Sequence, residues 1–512
     1  MRIKVSPSEE SQGVRSTLGA ECTPACHCLA ATTNPALSGN DGHGAELDTQ
    51  HVLVHNEIEA FLREISQKRQ TNETKKMIID FSFSNFRSFQ EEQLFSMNVE
   101  KGRGRHSSNF TLIEDGRLGV LRSAAVLGAN ASGKSNLLTA LVALRWIVRS
   151  SGSRRDGQAI PPYEPFRLSS SARQQPVRME LEFVVPSGTR YRYEIAFTKN
   201  KITEERLYSF ARRARAVVFE RGPDDTWETI KFGGTYKGGS RRFPFFSNAA
   251  YLSRAGNDAS SPEFIQEIYK YFENIAHVPA GGNLFSMLPL TNPSVLEAAS
   301  ELICLADTGV SKVTVEEKEG VDDIKLPEGM PEEIKEAILL ENRVITKYWI
   351  KSQDGELIPF DADEMSDGTT RLLQTLPIVL NVFRNGSVLL IDELDAHFHT
   401  DIVELILRLF HDEEINSKGS QIIFTTHDTN ILDSRIMRRD QVWFVSKTEG
   451  SSELKSLDEY DRKYIRHDSP FETFYREGRL GALPRLPYSR MKAAIIASLS
   501  ASKPAPKADA DA

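Results

Sequence analysis

Gly128, Gly133, Lys134 and Ser135 stand at the spacing Gly-x-x-x-x-Gly-Lys-Ser, and that spacing has a chemistry. The two glycines let the loop Gly128-Ala129-Asn130-Ala131-Ser132-Gly133 turn backbone N–H groups inward around phosphate oxygens. Lys134 adds a full charge near the β- and γ-phosphates, and Ser135 offers its hydroxyl to Mg2+. Asp392-Glu393 follows directly on the apolar run Val388 to Ile391. A carboxylate there can hold Mg2+ through its water shell, and the next can polarise the attacking water as a general base. Thr425-Thr426-His427-Asp428 follows Gln421 to Phe424 and puts an imidazole where it can sense a γ-phosphate. In Glu364-Met365-Ser366-Asp367-Gly368-Thr369, Ser366 sits at a helix start, where hydroxyl and free N–H groups bind anions. The ligands expected from these groups are ATP and Mg2+.

Such groups need strand ends and helix starts to hold them. Ser123 to Leu127 reads as a short buried strand, and Asn136 to Arg149 carries Leu137, Leu138, Leu141, Leu144 and Ile147 at helical spacing. Thr370 to Phe383 and Asp401 to Phe410 read as helices; Ser387 to Ile391, Gln421 to Phe424 and Gln441 to Val445 read as strands. This alternation implies a doubly wound sheet with its ligand at the strands' carboxyl ends. Met77 to Phe83 and Gln93 to Met97 are strands ahead of the loop. Arg178 to Val185, Arg190 to Phe197, Ile202 to Phe210, Val217 to Phe219 and Thr226 to Lys231 form an antiparallel meander. Pro262 and Pro293 each open a helix, and 331–341 reads as another.

The whole chain bounds the rest. Its 512 residues, 40% apolar and 26% charged, have an ordinary globular composition, and the net charge of −8 argues against a dedicated nucleic-acid binder. Cys22, Cys26, Cys28 and Cys304 make a disulfide framework unexpected and point to a reducing cytoplasm. The spacing of Cys22, Cys26, His27 and Cys28 matches no paired zinc knuckle, so these cysteines read as incidental. No apolar run reaches the ~18 residues of a membrane span, and no secretory leader is visible.

The order of motifs resembles the ABC-type ATPase heads of RecF and the structural-maintenance-of-chromosomes (SMC) proteins. More closely it resembles bacterial AAA family ATP-binding proteins of the RloA type, found in restriction and anti-phage loci. The resemblance covers roughly Met77 to Leu486. It rests on Met77 to Phe89 with its Asn-Phe-Arg-Ser-Phe ending, Gly128 to Asn136, Leu305 to Gly309, Met365 to Arg371, Leu389 to His399 and Phe424 to Asn430, with Arg438 to Phe444 and Gly478 to Ala482 near the end. It implies an α/β P-loop NTPase of the ABC-ATPase head type, with an antiparallel β-meander lobe and a helical insertion.

By the same resemblance, Arg87 reaches the nucleotide phosphates, and Ser366, Asp367 and Gly368 form the signature that meets ATP from a second subunit. Asp367 stands where a glycine is usual, which is expected to slow hydrolysis. Asp395 and His397 belong to the loop facing the partner subunit, and the Mg2+-facing glutamine is unplaced between Gln174 and Gln175.

The domains expected are an unstructured extension over 1–76 and the N-terminal part of the head with the meander over 77–255. A helical insertion over 256–345, the C-terminal part of the head over 346–490 and a flexible tail over 491–512 follow. The leading role is an ATP-dependent homodimer or higher oligomer that controls a separately encoded nuclease or toxin in anti-phage defence. One alternative is a RecF- or SMC-like DNA clamp, using Arg206, Arg212, Arg213, Arg215, Arg241 and Arg242 as a basic track. Another is a scaffold that binds ATP without hydrolysing it.

Overall fold

The computed structural model describes residues 19–21, 75–99, 104–211, 214–280, 293–306, 309–317, 344–396, 398–461, 463–466, 469–480 and 487–501. His397, Arg212, Arg213, Cys22, Cys26, His27, Cys28 and the helix anticipated over 331–341 lie outside the described residues.

The motif-bearing part is built from β1 (Ser123–Leu127), α1 (Lys134–Ser150), α2 (Glu263–Glu273), β2 (Ile275–Val278), α3 (Asp367–Asn385), β3 (Val388–Ile391), α4 (Thr400–His411), β4 (Gln421–Thr425), β5 (Val442–Thr448) and β6 (Ser451–Ser456). The strands form one sheet in the order β2-β3-β4-β1-β5-β6. Every pairing from β2 to β5 is parallel, and β6 returns antiparallel on the edge. All residues of β1, β3 and β4 are buried, as strands covered by helices on both faces require. Leu137, Leu138, Leu141, Leu144 and Ile147 of α1 pack on one face with α2. Val382, Phe383, Val403, Ile406, Leu407 and Phe410 of α3 and α4 cover the other.

A seven-stranded antiparallel sheet lies beside it, running Lys231–Phe232, Ala214–Arg221, Ile202–Ala211, Arg190–Phe197, Val177–Val184, Met77–Ser84, Gln93–Ser96. Its apolar face shares one core with α1 and α2. The two sheets are also tied by a side chain. The Gln421 amide accepts from Ile78 N at 2.6 Å and donates to Ile78 O at 3.0 Å and Leu121 O at 2.8 Å. Ile78 is where the pairing with Val177–Val184 slips by one residue, so the amide satisfies backbone groups at an irregularity. This is an α/β fold, a mainly parallel sheet with a glycine-rich loop at its carboxyl ends, with an antiparallel meander lobe.

Four expectations change. Within 256–345 the described residues hold strands as well as helices: β2 is the edge of the parallel sheet, and Val310–Glu317 pairs antiparallel with Val344–Lys351. Within 1–76, Gly19–Glu21 pairs antiparallel with Val310–Glu317. Cys304 is disulfide-bonded, against the expectation of free thiols. Only Lys231 survives of the strand expected over Thr226 to Lys231. The residues before it fold into a turn in which Thr226 N donates to Thr229 Oγ1 at 2.8 Å and Thr229 Oγ1 donates to Asp225 at 3.0 Å. Such local side-chain bonds compete with a ladder.

Candidate functional site

β1 ends at Leu127 and the chain enters α1 at Lys134, so the loop between them lies at the carboxyl ends of the parallel strands. Gly128 has φ +154° and a Cβ there would stand 2.3 Å from Val445 O on β5; Gly133 has φ +117° and a Cβ there would meet Ser452 and Ser88. Only glycine allows both the turn and the close approach. The hairpin β5–β6 thus braces the loop from behind. Ser452 Oγ donates to Ser132 O, and Lys447 Nζ donates to Ala131 O at 3.3 Å. Asn130, Ala131 and Ser135 are exposed at the loop's open side.

Lys134 is 6% exposed. Its ammonium donates to Gly128 O at 3.0 Å, Ala129 O at 3.3 Å and His427 Nε2 at 3.0 Å. An ammonium has no acceptor to offer, so in this contact Nε2 is the acceptor. Burial pulls the Lys134 pKa down, while Asp392, Glu393 and Asp395 act against that fall.

The acids are arranged by one threonine. Thr425, at the end of β4, donates from Oγ1 to Asp392 Oδ1 at 2.5 Å and accepts from Glu393 N at 2.7 Å. Asp392 is 7% exposed, and Glu393 sits in the left-handed region at φ +57°, a strained geometry for this residue type. The Asp395 carboxylate accepts from His427 N at 3.1 Å and 3.2 Å. Lys134, Asp392, Glu393, Asp395 and His427 therefore share one corner. One buried cation, one buried carboxylate and a hydroxyl-bearing helix start suit a nucleotide phosphate with Mg2+, which takes few protein oxygens. Ser135 and Asp392 are the residues that would hold the metal.

Arg87, at φ +50°, lies beside α1. Its guanidinium is gripped by Glu164 at 2.7 Å and 3.0 Å and donates to Asn136 Oδ1 and Thr139 Oγ1 at 3.3 Å each. Asn136 Nδ2 donates to Ser88 Oγ at 2.8 Å. Arg87, Ser88, Asn136 and Glu164 border a cleft of about 590 Å³ that also touches Tyr163, Lys447 and Gly450. Gln174 and Gln175 are exposed, and the carbonyl of Gln175 accepts from Asn85 Nδ2 and Tyr163 OH.

The structure does not bring Ser366, Asp367 and Gly368 to this corner. Ser366 caps α3, its Oγ accepting from Thr369 N at 3.1 Å. The first half of α3 packs through Leu372, Leu373 and Leu376 on Ala299, Ile303 and Tyr348, a separate core.

The arginines weighed as a DNA track interleave with acids and rings. Arg206 pairs with Glu204 at 2.9 Å and Glu194 at 3.7 Å, Arg215 lies 4.3 Å over the Tyr208 ring, and Arg241 and Arg242 lie over Tyr236 and Phe232.

Sequence reasoning missed Thr425, Ser88, Ser452 and Glu164. Thr425 had a signal, as a hydroxyl at the strand end ahead of His427. Ser88 lay inside the Asn-Phe-Arg-Ser-Phe stretch. Nothing local marks Glu164 or Ser452, which reach the site from 77 and 364 residues away from Arg87 and Ser88.

Residues 123–433 match the family model described as "AAA domain, putative AbiEii toxin, Type IV TA system". Comparison with curated proteins gives no match. Among solved structures, an SMC head bound to the C-winged helix domain of ScpA is similar at 15% identity, covering 76% of this chain and 99% of its own, with a TM-score of 0.39. The SMC head domain from Thermotoga maritima is similar at 14% identity over 74% and 98%, TM-score 0.34. The recombination mediator RecF, as RecF-ATPrS, is similar at 13% identity over 75% and 99%, TM-score 0.32.

Proposed function

The chain belongs to the AAA domain family whose model spans its residues 123–433, and from that membership we propose that it binds and hydrolyses ATP as a dimerising switch that controls a separate effector protein. The observation that carries the reading is the corner where Lys134 Nζ meets His427 Nε2 at 3.0 Å while Thr425 ties Asp392 to the backbone of Glu393.

In this mechanism the loop N–H groups and the start of α1 bind the phosphates. Lys134 exchanges its carbonyl partners for phosphate oxygens, which carry more negative charge. Ser135 and Asp392 would hold Mg2+, which when bound would supply neutralisation of phosphate charge. Glu393 orients the attacking water and takes its proton. Once Lys134 has turned away, Nε2 of His427 takes up a proton, directly or by change of tautomer, and the N–H so formed donates to the γ-phosphate. Arg87 exchanges Glu164 for phosphate, so the pair opens as nucleotide enters. Ser366, Asp367 and Gly368 stand outside the corner, and a second copy of the chain supplies them across the ATP. The γ-phosphate then favours the paired state and hydrolysis releases it.

The family's description names a putative toxin of a type IV toxin–antitoxin system; the role in anti-phage defence with a separately encoded nuclease or toxin as effector is our proposal from the resemblance of the motifs. The test is phosphate release together with sedimentation. The wild-type chain should release phosphate, and Glu393→Gln should stop turnover, keep ATP affinity and shift to a dimer with ATP. Unchanged turnover in Glu393→Gln, or ATP-independent assembly, would overturn the reading.

A further inference from the structure

The cleft of about 590 Å³ beside the first turn of α1 is lined, among the described residues, by the cations Arg87, Arg167, Arg173 and Lys447 and by one acid, Glu164. The cations suit a polyanion. The acid does not, because a carboxylate repels phosphate. Among the described residues its one ion pair is with Arg87, and its side chain is 47% exposed. Its place is nevertheless built. Arg87 N donates to Glu164 O at 2.7 Å, and Phe166 N, two residues on, donates to Asn85 Oδ1 at 3.0 Å. Asn85 is 7% exposed, and its Nδ2 is anchored on Ala172 O at 2.8 Å. None of these ties uses the Arg87 guanidinium, so they hold Glu164 at the cleft when that group moves.

We infer that Glu164 selects the sugar of the nucleotide, its carboxylate accepting from the ribose 2′- and 3′-hydroxyls once Arg87 has left it for phosphate. This rests on the ATP-switch reading, in which the Arg87–Glu164 pair opens as nucleotide enters. Position argues for the sugar. Lys134 and Ser135 serve the distal phosphates and Mg2+, so the proximal phosphate and then the ribose follow along the ligand. Arg87 Nη1 lies 3.3 Å from Asn136 Oδ1 and Thr139 Oγ1, on the turn of α1 just past Ser135, and Glu164 stands one guanidinium further out.

The chemistry argues the same way. A carboxylate only accepts, through two oxygens, and two adjacent hydroxyls offer it two donors. The base has another surface to lie on: Leu168 lines the same cleft and is 70% exposed, held against the turn of the hairpin β5–β6, where a Cβ at Gly450 would collide with it. Arg87 and Glu164 therefore part together, phosphate taking the one and ribose the other. A triphosphate without its nucleoside would separate the pair and leave the carboxylate without a donor.

The test is calorimetry on the full-length chain carrying Glu393→Gln to stop turnover, titrated with ATP, 2′-deoxy-ATP and 2′,3′-dideoxy-ATP. With Glu164 present, the deoxy-nucleotide should bind roughly tenfold more weakly than ATP, the loss of one hydrogen bond to a charged group, and the dideoxy-nucleotide more weakly still. Glu164→Ala should bring the three Kd values within about twofold of one another, whatever freeing Arg87 does to their common level. Glu164→Gln keeps an acceptor oxygen and should keep part of the preference. Equal affinity for the three nucleotides with Glu164 present, or a sugar preference that survives Glu164→Ala, overturns the assignment. So does a Glu164→Ala variant that loses discrimination between ATP and GTP but keeps the sugar preference, since the carboxylate then reads the base. Tight ATP binding without sugar preference overturns this inference alone and leaves the ATPase reading standing; a chain that binds no nucleotide overturns both.

Discussion

Thr425 makes one site out of two consecutive acids that follow the neighbouring strand β3. Its hydroxyl donates to Asp392 and accepts from the Glu393 N–H, which sits in a left-handed conformation. Thr425→Val keeps the shape and removes both bonds. Turnover should fall about 10–100-fold, the usual cost of losing a supporting contact at a metal site, with a smaller change in ATP affinity. Lys134→Ala should weaken ATP binding by roughly 10- to 100-fold, the loss of a charged hydrogen-bond donor. Nucleotide titration by calorimetry measures both affinities, and phosphate release measures the turnover.

His411 lies outside the site and gives a pH signature. Burial lowers its pKa from the usual 6.5 to about 3, and its Nε2 lies 2.8 Å from Ser123 Oγ at the start of β1. The unfolded chain binds a proton that the folded chain refuses between those two values. Stability therefore falls as pH drops through that window, with a slope of at most about 1.4 kcal/mol per pH unit from this residue. Denaturant unfolding of His411→Gln at several pH values should show that slope removed.

The hairpin β5–β6 is the element on which the loop depends. Glu449 at φ +51° and Gly450 at φ +88° make its tight turn, the conformation that suits a two-residue hairpin. Ser452→Val should cut the bonds to Ser132 O and Ser88 and crowd Gly133, raising the Kd for ATP while leaving the fold cooperative by thermal melting. The other elements show what the sequence could and could not say. Ser123–Leu127 and Arg190–Phe197 have the bounds their apolar patterns predict. The hairpin Phe110–Ile113 with Leu118–Leu121 was missed although Asp115-Gly116 marks its turn. β2 is four residues with a histidine inside, too short to show a period, and it becomes a strand only because β3 lies beside it. The loop, the acids and His427 were legible because each follows a buried strand. Glu164 and Ser452 were not, because long-range packing alone brings them in.

At the scale of the molecule, the meander sheet is locked to its neighbouring helices by a buried pair. Glu205 is fully buried, lies 2.9 Å from Arg221 Nε, and accepts from Tyr193 OH and from the N–H groups of Tyr251 and Leu252. Arg221→Leu leaves that carboxylate without its cation and should destabilise the chain by about 3–5 kcal/mol, read by urea unfolding. Among the described residues no helix is long and apolar enough to cross a membrane.

The Gln421 amide bonds Ile78 on one sheet from the base of β4 on the other, in the way a strand would bond its neighbour. Thr425, at the opposite end of the same strand, touches the acids. β4 is thus a rod fixed at its foot to the meander and at its tip to the reaction centre. A shift at the tip cannot be absorbed by slippage between the layers, so both should tilt together as one lever.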